Sequence, residues 1–213
     1  MELMVVLVIM ALAVTGIRYG LATVTRARLR GACMKVMAAT QYAYHRALSQ
    51  GNTVRVVFDL KRHTFRLEEA AGTLGVGQAK QGDAADQNDA IDPWEQARLK
   101  LAEFDRSQGS QEVVSPFGPL VDDSGETLPQ GKAQPVGDGV RIAALMVPHA
   151  IGPQRKGRVS VYFYPGGHGQ HAVVQLQDAS KRIYSVELDA LTGGATVHTK
   201  AVRPRPPLDV DDF

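Results

Sequence analysis

The chain has 213 residues, 44% of them hydrophobic, enough for a substantial core and for one or two domains. Its formal net charge of +2 is too near neutral to argue by itself for a nucleic-acid partner. A single cysteine, Cys33, excludes an intrachain disulfide framework.

The first stretch is MELMVVLVIMALAVTGI, in which Glu2 stands ahead of an unbroken apolar run from Leu3 to Val14. Behind it no proline occurs until Pro93, and Ala, Leu, Met and Arg dominate as far as Ser49, all good helix formers. The expectation is one long helix over residues 1–50, apolar in front and amphipathic behind. The run from Leu3 to Ile17 is 15 residues, about 22 Å as a helix and short of the ~20 residues that cross a bilayer core. Four readings are open: a buried core helix, a secretory signal, a complete transmembrane helix, or a transmembrane helix whose beginning precedes Met1. A secretory signal needs a basic start, which Glu2 replaces, and Ala11-Leu12-Ala13 as a cleavage site leaves too short an apolar region. A carboxylate at the front of an apolar segment is expensive in lipid unless it meets a partner, so Glu2 points to a helix that docks on another helix. An exposed helix-start acid favoured by the helix dipole is the plainer alternative.

Charge is segregated along the chain. Asp59 is the sole acid between Arg18 and Arg62, whereas Asp83 to Asp92 holds four Asp and no base. A basic belt behind an apolar segment suits an anionic membrane surface; a solvated helix face explains the same arginines equally well.

Met-Glu-Leu-Met-Val-Val-Leu-Val-Ile-Met-Ala-Leu-Ala resembles the processed N-terminal segment of type IV pilins and type II secretion pseudopilins. In that family a basic leader ending in Gly precedes Phe-Thr-Leu-(Ile or Met)-Glu-Leu, and a prepilin peptidase cuts after the Gly. The resemblance implies that leader, cleavage site and three further residues precede Met1, which would lengthen the apolar segment to about 20 residues. It implies that Glu2 pairs with the methylated N-terminal amine of a neighbouring subunit. It also implies a membrane segment containing Leu3, Val5, Val6, Leu7, Val8, Ile9, Met10, Leu12, Val14 and Ile17. Taken alone, Arg18, Arg26, Arg28 and Arg30 would put the helix's C-terminal side in the cytoplasm. The resemblance implies instead that a leader's competing charge puts the head in the periplasm, on a single-pass inner-membrane anchor.

Further along, Leu29, Cys33, Val36, Thr40, Ala43 and Ala47 recur at helical spacing and predict one packing stripe, with Cys33 as a small core residue. Gly51 is placed to end the helix in a left-handed cap. Val54–Phe58 and Thr64–Leu67 read as strands around a Lys61-Arg62-His63 turn. The run Ala-x-x-Tyr-Ala-x-x-x-Ala-Leu-x-x-Gly-x-x-Val-Arg-x-Val-Phe-Asp from Ala39 is similar to the H-type minor pseudopilin, except that His45-Arg46 stands where Ser-Glu is common.

From Glu68 to Val136 the resemblance lapses, and residues 69–136 read as an insertion. Ala70–Asp92 has a loop composition. Asp92-Pro93-Trp94-Glu95 starts a short helix, with Trp94, Ala97, Leu101 and Phe104 on one face, and Ser115–Gly139 reads as loop. Five strands follow, at Val140–Val147, Val159–Tyr164, Ala172–Gln177, Ile183–Leu188 and Ala195–Thr199. Phe163-Tyr164-Pro165-Gly166-Gly167 and Asp189-Ala190-Leu191-Thr192-Gly193 resemble the family's closing strands, which often read Phe-x-Pro-Asp-Gly and Asp-Pro-Leu-Thr-Gly. Residues 201–213, Pro-rich with an acidic end, read as a disordered tail.

Chemistry-bearing patterns are sparse. His168-x-x-His171 lies in a Gly-rich turn without a nearby Cys or acid. Asp122-Asp123-Ser124-Gly125-Glu126 lacks the alternating spacing of an EF-hand. No phosphate loop or nucleophile elbow is present. The sequence thus yields no catalytic, cofactor or metal site, and the fold class expected is α+β: a long helix, then an antiparallel β-sheet or β-sandwich head of pilin type at 51–200. The function expected is a structural minor pseudopilin of type II secretion that acts by subunit assembly. Its implied partners are other pseudopilins, the prepilin peptidase in the precursor, the inner-membrane secretion platform and secreted substrates, with no nucleic acid. The alternatives are a minor pilin of a DNA-uptake pilus, with Arg203-Pro-Arg205 as DNA contact, and a membrane-anchored periplasmic enzyme with a deep polar pocket.

Overall fold

A computed structural model describes residues 2–74, 115–122 and 124–203; within the first helix the side chains of residues 2, 3 and 13–24 are not described. The helix expected at Asp92 and the Ala70–Asp92 loop beyond Leu74 lie outside these residues, as does the tail from Pro204.

Helix α1 spans Glu2–Gln50, 49 residues. Its predicted stripe is the packing face: Leu29, Cys33, Val36, Thr40, Ala43 and Ala47 are each fully buried. Thr40 is tolerated there because its hydroxyl donates back to the Val36 and Met37 carbonyls at 3.1 and 2.9 Å. Gly51 closes the helix at φ +66°, its N–H on the Ala47 carbonyl at 3.1 Å, a conformation that glycine adopts without strain.

The remainder is antiparallel β-structure. Strands β1 (Thr53–Asp59), β2 (Thr64–Ala70), β3 (Gly118–Pro119), β4 (Gln134–Pro135), β6 (Arg158–Tyr164) and β7 (His168–Gly169) form one sheet in the order β3-β2-β1-β6-β7, with β4 also on β2. Strands β5 (Val140–Met146), β8 (Ala172–Asp178), β9 (Ile183–Leu188) and β10 (Ala195–His198) form the other, in the order β10-β9-β8-β5. The fold is α+β, as expected, and all five strands read in the last third are present. The Pro/Gly-rich stretch read as loop also contributes β3, β4 and a short 3-10 turn at Pro129–Gly131. Proline is admissible in such two-residue strands because each pairs along one side only.

One core joins the helix to both sheets. Val54, Val56 and Phe58 of β1, Val159, Val161 and Phe163 of β6, Val174 and Leu176 of β8, and Val186 and Leu188 of β9 pack with the helix stripe. The period of two in each strand sets these inward and sends the alternate residues outward. On the outer face of the first sheet the alternates are also buried. Arg55 on β1 donates to Glu68 on β2 at 2.8 Å, Arg66 donates to the same carboxylate at 2.7 Å, and the Arg55 guanidinium lies 4.1 Å over the Phe117 ring. Buried charge on this scale is sustained only by such pairing.

Candidate functional site

The sequence places function in the front of α1, and the structure gives that segment a distinct surface. Met4, Val5, Val6, Leu7, Val8, Ile9, Met10 and Leu12 are all exposed, by 56 to 72%. Consecutive residues of a helix point in all directions, so this is a wholly apolar cylinder and not an amphipathic stripe. A contiguous exposed apolar surface of that kind marks a protein or membrane contact. Glu2 is the helix's first assigned residue; its side chain, like those of Leu3, Val14 and Ile17, lies outside the described ones. Among the described residues no helix is long and apolar enough to cross a membrane.

The head's grip on the helix reaches at least as far forward as Thr25, whose hydroxyl accepts a hydrogen bond from Arg182 on the β8–β9 hairpin. Arg182 is itself held by Asp178 at 2.9 Å, so the hairpin is a fixed bracket. From Leu29 onward the stripe is core. Helix α1 is therefore divided by its surroundings, with a buried rear and an exposed apolar front.

At the other end of the helix two turns converge on Tyr44. Its hydroxyl donates between the carbonyl oxygens of Gly167 at 3.1 Å and Leu191 at 3.2 Å. These are the two turns that resembled the family's closing strands. Asp189 organises the second, accepting from the Leu191 and Thr192 N–H groups at 2.8 and 2.9 Å. Those backbone hydrogen bonds hold its carboxyl below the usual range. Arg46 donates to Glu69 at 3.1 Å and to the Val121 carbonyl at 2.9 Å, so its charge is matched by β2.

The candidate metal ligands go separate ways. His168 stacks on Tyr164 at 4.9 Å, while His171 donates to Glu187 at 3.2 Å. Sequence inspection missed the partner of the latter: His198 on β10 donates to the other Glu187 oxygen at 2.9 Å. Burial alone would raise the Glu187 carboxyl, but the two imidazole hydrogen bonds and their charge outweigh it and hold it low. The Asp122 carboxylate accepts from Ser124 and Glu126 N–H groups at 3.0 and 2.8 Å, which makes this stretch a capped turn. Among the described residues no group of three or more His, Cys, Asp or Glu is arranged to hold a metal ion. Burial pushes the Cys33 thiol up to about 11, which keeps it protonated and poorly nucleophilic.

Residues 201–203, grouped with the tail on composition, are tied to the second sheet. The Val202 N–H donates to Ser185 Oγ at 3.0 Å, and its carbonyl accepts from Gln175 at 2.9 Å.

No family model matches the sequence. No curated protein matches it either. Among solved structures, the chain is similar to the minor pseudopilin EpsH from the type 2 secretion system of Vibrio cholerae. That likeness covers 81% of this chain and 97% of that one, at 7% identity and a TM-score of 0.40.

Proposed function

We propose that this chain is a minor pseudopilin, a structural subunit that enters the short periplasmic pseudopilus of a type II secretion system. The observation that carries the reading is the division of α1: its rear half is the spine of the head's core, and its front is an exposed apolar cylinder headed by Glu2. The front anchors the subunit in the inner membrane, with the head in the periplasm. Subunits are withdrawn into a filament when neighbouring helices replace lipid around that cylinder, and Glu2 finds the amine of a neighbour. In hydrocarbon a carboxylate gains greatly from such a partner, which makes the pairing a selective step. The platform holds the subunit before assembly, and head loops face neighbours and cargo.

The test is cross-linking between helix fronts. In a Cys33→Ser background carrying Val8→Cys, membranes that also express another pseudopilin with a cysteine introduced at the matching position of its helix front should yield disulfide-linked heterodimers on mild oxidation. Adding Glu2→Ala should reduce that yield about tenfold or more, as expected for loss of a pair worth over ~1.4 kcal/mol, while the subunit stays in the membrane fraction. Equal cross-linking with and without Glu2 would remove its assembly role, and absence of any heterodimer would sink the proposal.

A further inference from the structure

We infer that the end of the head from which the helix front emerges is a basic collar that seats on an anionic phospholipid surface. The inference rests on the membrane-anchor reading above and adds the lipid class.

Four separate segments build the collar. The β1–β2 turn presents exposed Lys61 and Arg62. The Leu60 N–H donates to the Gly157 carbonyl at 3.0 Å, which sets exposed Arg155 and Lys156 beside that turn. Arg141, also exposed, enters at the start of β5, where the Ile142 N–H donates to His63 of the same turn at 3.3 Å. Exposed Lys181 sits in the β8–β9 hairpin that brackets Thr25.

The acids at this end are largely spent internally. Asp59 lies 3.7 Å from Arg158 and accepts from the N–H groups of Lys61 and Arg62. Asp178 is buried against Arg182. Asp138, in the loop beside Ala32, is the exposed counter-charge.

Position assigns the partner. From Ile17, the end of the apolar run, to Thr25 is eight residues, about 12 Å of helix. One headgroup layer is roughly 5–8 Å thick, so Lys181, on the hairpin that brackets Thr25, stands within about a Debye length of the lipid phosphates at physiological salt, with the other bases behind it on the same end of the head. Exposed Arg26, Arg28 and Arg30 lie in the same belt. Each base near an anionic bilayer strengthens partitioning roughly fivefold. A nucleic acid would satisfy the charge alone, but it would not explain why the patch lies at the end of the head from which the helix front emerges.

Flotation of the full chain with vesicles tests this. Neutral phosphatidylcholine vesicles report the anchor, and vesicles about one-third phosphatidylglycerol report the collar. The wild type should float with both and prefer the anionic ones at least tenfold at ~50 mM salt, a preference lost at ~500 mM. Lys61→Glu/Arg62→Glu/Lys156→Glu, with an unchanged thermal melt, should keep neutral binding and lose the anionic preference. Equal flotation of wild type with both vesicles overturns the collar and leaves the anchor standing. Flotation with anionic vesicles alone overturns the anchor and keeps the collar. Release from anionic vesicles by short duplex DNA, with DNA binding lost in the same variant, overturns the lipid assignment in favour of nucleic acid. If the triple variant does not fold, the wild type's salt dependence decides alone.

Discussion

Gly193 shows how closely single positions are constrained. A Cβ there would lie 2.2 Å from the Tyr44 ring, and the residue sits at φ +62°. Both conditions exclude a side chain, because ring and loop are pinned to each other through the Leu191 carbonyl. Gly193→Ala should cost on the order of 2–3 kcal/mol, seen as a fall in Tm of roughly 5–10 °C in calorimetry. Glu187 offers a test of charge. Its carboxyl is held below its ordinary value by His171 and His198, so the folded form favours ionisation. The stability it contributes is present above pH 4.5, its ordinary value, and is lost as pH falls through the depressed folded value. Urea titrations of Glu187→Gln should therefore show a shallower loss of stability between about pH 5 and pH 3 than the wild type. None of these contacts was visible in the sequence. His171 and Glu187 are 16 positions apart and Tyr44 and Leu191 are 147 apart, distances that no periodicity spans.

At the scale of elements, legibility followed the range of the cause. The helix stripe and the five closing strands depend on side chains recurring at 3.6 or 2 residues, a signal carried by neighbours in the chain, and those elements formed as read. Strands β3, β4 and β7 are two residues long, too short for any pattern, and exist because β2 and β6 present edges for them. The stripe also explains Cys33, a residue whose reactivity is suppressed by burial rather than by chemistry. Alkylation with iodoacetamide should be slow in the native protein and fast after denaturation. Equal rates in both states would mean that the stripe is not packed on the sheets.

For the whole molecule, the decisive feature is that one helix serves two environments. Its rear is inseparable from the head, while the side chains from Met4 to Met10 are exposed and contribute little to the head's stability. A chain beginning at Thr25, which keeps the Arg182 bracket, should melt within about 2 °C of the full chain and should no longer float with neutral vesicles. A large loss of stability on that truncation would show that the front belongs to the head's core.

What local order dictates was readable from residues alone: an apolar front with one acid, an amphipathic rear, and strands with turns between them. Hydrophobic period and turn chemistry act between neighbours, so they survive in the linear chain. The meeting of distant polar groups does not. The Tyr44 clasp and the gathering of bases at the helix exit required remote parts of the chain to be laid side by side, while the Arg55–Glu68 pair and the two-histidine hold on Glu187 depended on the register of neighbouring strands. Their partners are chosen by backbone pairing and core burial, which are settled only when the whole head closes on its helix.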